Sequence, residues 1–164
     1  MKSPSLSSLS VFALAVIMGL SGTKLTNAQS IDDITLNVYK EETCGCCVSW
    51  IAHMDERGFD SAIFHPTDIY TTKDNLGVLP KWQSCHTAVS KSGYVFEGHV
   101  PAKYISQFLA SPPANALGLA VPGMPLGSPG MEIGNRFDSY DVIMMKKDGT
   151  SEVYATVKAQ AEQY

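Results

Sequence analysis

Apolar Ile34, Leu36 and Val38 alternate with Thr35, Asn37 and Tyr39, the period of a strand with one buried face. The period then changes. Val48, Trp50, Ile51, Met54 and Phe59 recur at helical spacing, and Arg57-Gly58 supplies a cationic last turn and a stop. Residues 62–65 read as a short second strand ended by Pro66, and 68–77 as a second helix with Thr67 or Asp68 as cap and Gly77 as end. Two strands follow at 84–89 and 94–97, joined by the turn Ser90-Lys91-Ser92-Gly93. Pro101 opens a third helix whose buried stripe is Tyr104, Ile105, Phe108 and Leu109. At the C-terminal end, 140–146 and 151–157 pair as a hairpin around Lys147-Asp148-Gly149-Thr150, and 158–164 reads as a frayed tail. Met144 and Met145, adjacent in a strand, point to opposite faces, so only one of them is expected in the core.

The order strand, helix, strand, helix, strand, strand, helix is the connectivity of a thioredoxin-like α/β fold. Two features extend it. One is the closing hairpin. The other is the stretch 111–134, where Pro112, Pro113, Pro122, Pro125, Pro129 and many glycines argue against regular structure over more than twenty residues. It carries one tripeptide twice, Pro122-Gly123-Met124 and Pro129-Gly130-Met131, behind apolar Leu117, Leu119 and Val121. That content predicts an ordered Pro/Gly/Met-rich flap rather than a disordered linker.

The N-terminal segment changes the accounting. Lys2, a serine-rich stretch, the apolar run from Val11 to Leu20 and the small residues of Thr26-Asn27-Ala28 have the form of a secretory signal peptide, with cleavage after Ala28. The apolar run is short for a membrane span. Residues 1–28 are therefore set apart from a single mature domain, 29–164, of 136 residues, with no membrane attachment once the leader is cut. Removing Lys2 and Lys24 leaves ten cations against sixteen acids, and no basic cluster exceeds Lys146-Lys147, which argues against nucleic acid as a partner. The expected location is the periplasm.

All four cysteines lie in the exported part. Three of them, Cys44-Gly45-Cys46-Cys47, stand where the first strand stops and the first helix starts. Gly45 lets the backbone turn tightly enough for three sulfurs to meet, and unpaired N–H groups at a helix start favour thiolate. Three adjacent thiolates repel, so protons, a disulfide or a soft cation must neutralise them. Cys44 and Cys47 also have C-x-x-C spacing. If the topology is right, the loop entering the third strand sets Cys85 across from them, and four sulfurs share one site.

Thioethers suit Cu(I) and not zinc, so Met124 and Met131 on a stiff flap are candidate co-ligands. His99, in a loop before a helix, can reach inward. His86 follows Cys85 in a strand, so its ring is expected to point away from that thiol unless a bulge intervenes. His53 and His65 read as ordinary histidines.

Five blocks in order, Cys44-Gly45-Cys46-Cys47, Gln83-Ser84-Cys85-His86-Thr87-Ala88-Val89, Glu97-Gly98-His99-Val100-Pro101, the stretch 118–132 with both Pro-Gly-Met repeats, and Tyr140-Asp141-Val142, resemble the DUF411 family. That family includes periplasmic copper-resistance proteins. The resemblance implies a thioredoxin-like domain that binds copper through Cys44, Cys46, Cys47 and Cys85, up to a multinuclear Cu(I)-thiolate cluster, with Met124, Met131 and His99 as further candidate ligands.

Copper ions and other periplasmic copper-handling proteins are the partners this implies, with sequestration, handover or redox cycling of copper as the activity. Thiol-disulfide exchange by Cys44 and Cys47 explains the C-x-x-C but not the other two cysteines. A closed zinc site is less suited, because three ligands within four residues crowd a tetrahedral shell. No hydrolase or transferase motif and no dinucleotide-binding glycine motif is present.

Overall fold

The computed structural model describes residues 34–164; the signal peptide expected over 1–28 lies outside them. Strand β1 (Thr35–Lys40) leads through the cysteine loop into α1 (Gly45–Asp55), and β2 (Asp60–Phe64) returns parallel to β1. Helix α2 (Ile69–Asn75) begins at Asp68, whose carboxylate accepts a bond from the Tyr70 N–H, as the sequence predicts. After a single 3-10 turn at Pro80–Trp82 come β3 (His86–Ser90), antiparallel to β1, and β4 (Val95–Gly98), antiparallel to β3; α3 (Ala102–Ala110) follows. The chain ends in β5 (Ala116–Val121), β6 (Tyr140–Lys146) and β7 (Ser151–Val157). The seven strands form one mixed sheet in the order β2-β1-β3-β4-β5-β6-β7.

Strand β5 corrects the expected long loop. Ala116–Val121 lies inside the sheet, parallel to β4 and antiparallel to β6, so the irregular flap begins only at Pro122. Proline density outweighed a real signal, since Leu119 and Val121 are both fully buried. Gly118 fits because it carries no side chain: a Cβ there would stand 1.7 Å from the Val95 carbonyl oxygen. Strand β3 also starts two residues later than expected, which leaves Ser84 and Cys85 in a loop.

Both faces of the sheet are covered. On one, Leu36, Val38, Phe96, Leu119 and Met144 pack with Trp50 and Met54 of α1 and Ile105 and Phe108 of α3; on the other, Val95, Ala120 and Met145 pack with Val78 and Trp82. Met144 and Met145 are therefore both core, although they point in opposite directions. Val48, expected in the buried stripe of α1, is 54% exposed, and Cys47 takes its place inside. The tail is not frayed. Gln160–Gln163 forms a 3-10 turn in which buried Gln163 accepts a bond from the Tyr140 hydroxyl and donates to the Gly127 carbonyl. Among the described residues no helix is long and apolar enough to cross a membrane.

Candidate metal centre

Cys44 is the N-cap residue of α1, and Cys46 and Cys47 occupy its first turn. Helical geometry turns Cys47 into the core, where it is wholly buried, and leaves Cys44 and Cys46 half-buried. Cys44 and Cys47 form a disulfide; Cys46 and Cys85 are free thiols. The Cys46 sulfur lies 3.6 Å from that of Cys44 and 4.0 Å from that of Cys85, and all four sulfurs fall within 4.8 Å of one another. The expected convergence of the triplet with Cys85 is present.

Cys85 is also the hinge of a second cluster. His99 Nε2 is 3.0 Å and His86 Nδ1 3.3 Å from its sulfur. His86 thus does not point away as strand alternation predicts: Cys85 precedes β3, so the two residues are not successive positions of one pleat. The His99 ring is oriented from behind. Its Nδ1 donates to the Pro129 carbonyl at 2.8 Å, an oxygen that can only accept, so the neutral ring presents the Nε2 lone pair to Cys85. Burial holds both imidazoles below their usual range. His86 Nε2 is buried with no hydrogen-bond partner, and its ring lies 4.3 Å, centroid to centroid, from Trp50. Burial, then the nearby Cys46 sulfur, push the Cys85 thiol up to about 12, with Ser84 and Lys73 opposing. Without a cation, Cys85 is a neutral thiol that donates to His99.

The loop carrying Cys85 is fastened by a buried ion pair. Glu97 Oε1 accepts from Lys73 Nζ at 2.5 Å and from the Ser84 N–H at 2.6 Å, while Thr87 Oγ1 donates to Oε2 and accepts from Lys73. Lys73 and Glu97 are almost completely inaccessible. Burial pushes the Glu97 carboxyl up, and Lys73, Thr87 and Ser84 pull it back. In the sequence Lys73 lies outside every quoted block, and Glu97 enters one without a named role. The signal in the sequence is an acid, Glu97, placed on the same strand face as apolar Val95.

The two Pro-Gly-Met repeats grip the site from different sides. Ser84 Oγ donates to the Gly123 carbonyl, which ties the first repeat to the Cys85 loop. Gly130 of the second repeat presses on the start of α1, where an added Cβ would stand 2.7 Å from both the Cys46 oxygen and the Trp50 nitrogen. Met124 is 54% exposed and lines a cleft with Cys44 and Cys85. Met131 is half-buried in a turn closed by its own N–H to Ser128 and by Gly127 N–H to its carbonyl, and is not among the residues lining that cleft. His53 and His65 serve ordinary structural bonds: His53 Nε2 accepts from the Ala102 N–H at the start of α3, and His65 Nδ1 meets the Lys40 carbonyl.

The donor set fits a soft metal once the Cys44–Cys47 bridge is reduced: four sulfurs within 4.8 Å of one another, with the His86 and His99 imidazoles beside Cys85. Two solved structures of a protein named copper resistance protein copG, in two forms, are similar to this chain. Each is 41% identical and covers 75% of it; 96% and 97% of those chains are matched, with TM-scores of 0.70 and 0.71. No curated protein matches the sequence. The family model described as "Protein of unknown function, DUF411" matches residues 82–131, the stretch that holds Cys85, His86, Glu97, His99 and both Pro-Gly-Met repeats. With that stretch matched, and with relatives 41% identical over 75% of its length, the chain belongs to the DUF411 family.

Proposed function

We propose that this chain is an exported, periplasmic copper-binding protein of thioredoxin-like fold that takes up Cu(I) on Cys44, Cys46, Cys47 and Cys85 and acts in copper resistance. The strand order β2-β1-β3-β4, with a thiol loop between β1 and α1, supports the fold assignment. The observation that carries the function is the approach of four sulfurs from segments about forty residues apart to within 4.8 Å, backed by imidazoles. Thiolates so close cannot all ionise unless cations bridge them, which is the condition for a multinuclear Cu(I) cluster.

Copper here is cargo, and the chain's own residues do the handling. His99, aligned by Pro129, offers a lone pair beside Cys85, and Met124 offers a thioether at the open side. Met131, on the second repeat, is the other thioether candidate. If the Cys44/Cys47 dithiol gave its two electrons to two Cu(II), it would close into the bridge and withdraw two of the four ligands, so the four-sulfur site takes copper as Cu(I) with that pair reduced.

Thiol-disulfide exchange is the second reading, and the Cys44–Cys47 bridge favours it. The two separate experimentally. The reduced domain, titrated with Cu(I) under anaerobic conditions against a strong chromogenic chelator, is expected to hold more than one copper per chain. Weak copper retention combined with turnover in an insulin-reduction assay would show the exchange reading to be the correct one.

A further inference from the structure

Exchange at the Cys44–Cys47 bridge explains the C-x-x-C spacing and leaves the free thiols Cys46 and Cys85 without a part. Their positions supply one. The Cys46 sulfur touches both neighbours: it lies 3.6 Å from that of bridged Cys44 and 4.0 Å from that of free Cys85. The sulfurs thus form a chain of contacts, from Cys47 through Cys44 and Cys46 to Cys85. Its two ends differ in access. Cys47 is wholly buried, whereas Cys85 lines the open cleft.

Thiol-disulfide exchange needs a sulfur held against a disulfide, and 3.6 Å is close to the roughly 3–3.5 Å of a near-attack arrangement. A thiol so held acts at an effective concentration far above that of any dissolved one. We infer that the four cysteines form an internal disulfide relay with Cys46 as the exchanging thiol: it takes Cys44 from buried Cys47 and hands the bridge on to Cys85. The relay uses the same sulfurs as the copper reading but rests on neither copper nor an outside thiol.

The steps balance without an external oxidant or reductant. Cys46 thiolate bonds to Cys44 Sγ as the Cys44–Cys47 bond breaks, and the electron pair leaves on Cys47 Sγ, which takes up the proton that Cys46 gave. Cys85 Sγ then bonds to Cys46 Sγ, the Cys44–Cys46 bond breaks, and the pair leaves on Cys44 Sγ. The Cys85 proton, shared beforehand with His99 Nε2, ends on Cys44. One disulfide and two thiols are present throughout, and only their positions change. Cys44–Cys47 remains the principal form. The Cys46–Cys85 form ties the start of α1 to the loop before β3 and leaves the core sulfur of Cys47 as a thiol.

The test uses the metal-free, bridged protein with no added thiol, so copper binding does not enter its outcome. After incubation the sample is quenched in acid, free thiols are alkylated at low pH with N-ethylmaleimide, and the labelled positions are mapped by mass spectrometry. Label on Cys46 and Cys85 marks the starting bridge. Label on Cys47 and Cys85 marks Cys44–Cys46, and label on Cys44 and Cys47 marks Cys46–Cys85; each is expected in about 1–10% of chains, the range of minor states in exchange. Cys46→Ser should abolish both migrated forms, and Cys85→Ser only the second. Label confined to Cys46 and Cys85 in the parent chain, a bridged Cys85 in Cys46→Ser, or migration that quickens with protein concentration overturns the relay. A failed Cu(I) titration of the reduced protein would overturn the copper reading and leave the label pattern in force.

Discussion

At Cys44, Cys46 and Cys47, the first turn of a helix gathers three sulfurs, and Gly45 is an ordinary residue of that turn with open space where a Cβ would stand. Cys85, His86 and His99 are brought together differently: a loop, a strand start and a pre-helical segment meet only because Glu97, Pro129 and the flap hold them. The first group is a local property of the chain; the second is a property of the tertiary structure. Perturbing the fold should therefore spare the triplet and scatter the second group.

The strongest such perturbation is Glu97→Ala. It strands Lys73 in the core without its partner, at a cost of about 3–5 kcal/mol, and releases Ser84 N–H. Denaturant melts should show the loss, and copper stoichiometry should fall even where the protein remains folded.

Acid acts next. Burial, helped by Arg57, lowers His53 to about 4, and its neutral Nε2 must accept from Ala102. The folded value lies below the ordinary one, so this contribution is complete above pH 6.5 and is lost as pH falls towards 4, up to about 3 kcal/mol. His86 and His99 are displaced in the same direction. Melts of His53→Gln at pH 7 and pH 5 should differ less than those of the parent chain.

Gly130→Ala is smaller. Its φ of +87° and the two backbone atoms in the way should cost about 1–3 kcal/mol. The readout that sharpens the comparison is His99, which loses the Pro129 alignment: its ring signals in NMR should move while the Cys44–Cys47 bridge stays intact. Met124→Ala, at an exposed position, should leave stability within about 0.5 kcal/mol and alter only copper affinity.

The same contrast explains what the sequence revealed. The triplet, the first strand, the third helix and the closing hairpin are short-range patterns, and they are where the periodicities place them. Strand β5 was hidden by flanking prolines, and its signal, Leu119 and Val121, looked like flap packing because nothing local says a neighbouring strand lies on each side. His86 opens β3 rather than following Cys85 within it, because the strand starts two residues later than its pattern suggests. Gln163 sits in a tail with no periodicity, and its burial depends on Tyr140 and Gly127, far away in sequence. Glu97 stands in one of the quoted blocks, but its ion pair with Lys73 is legible only when both partners are placed.

The central claim is that Cys85 shares its metal with the triplet. Its direct measurement is the anaerobic Cu(I) titration of reduced protein against a strong chelator, repeated with Cys85→Ser. The account predicts that the variant binds fewer copper ions per chain and gives them up to the chelator more readily. Undiminished stoichiometry and affinity in Cys85→Ser would contradict it.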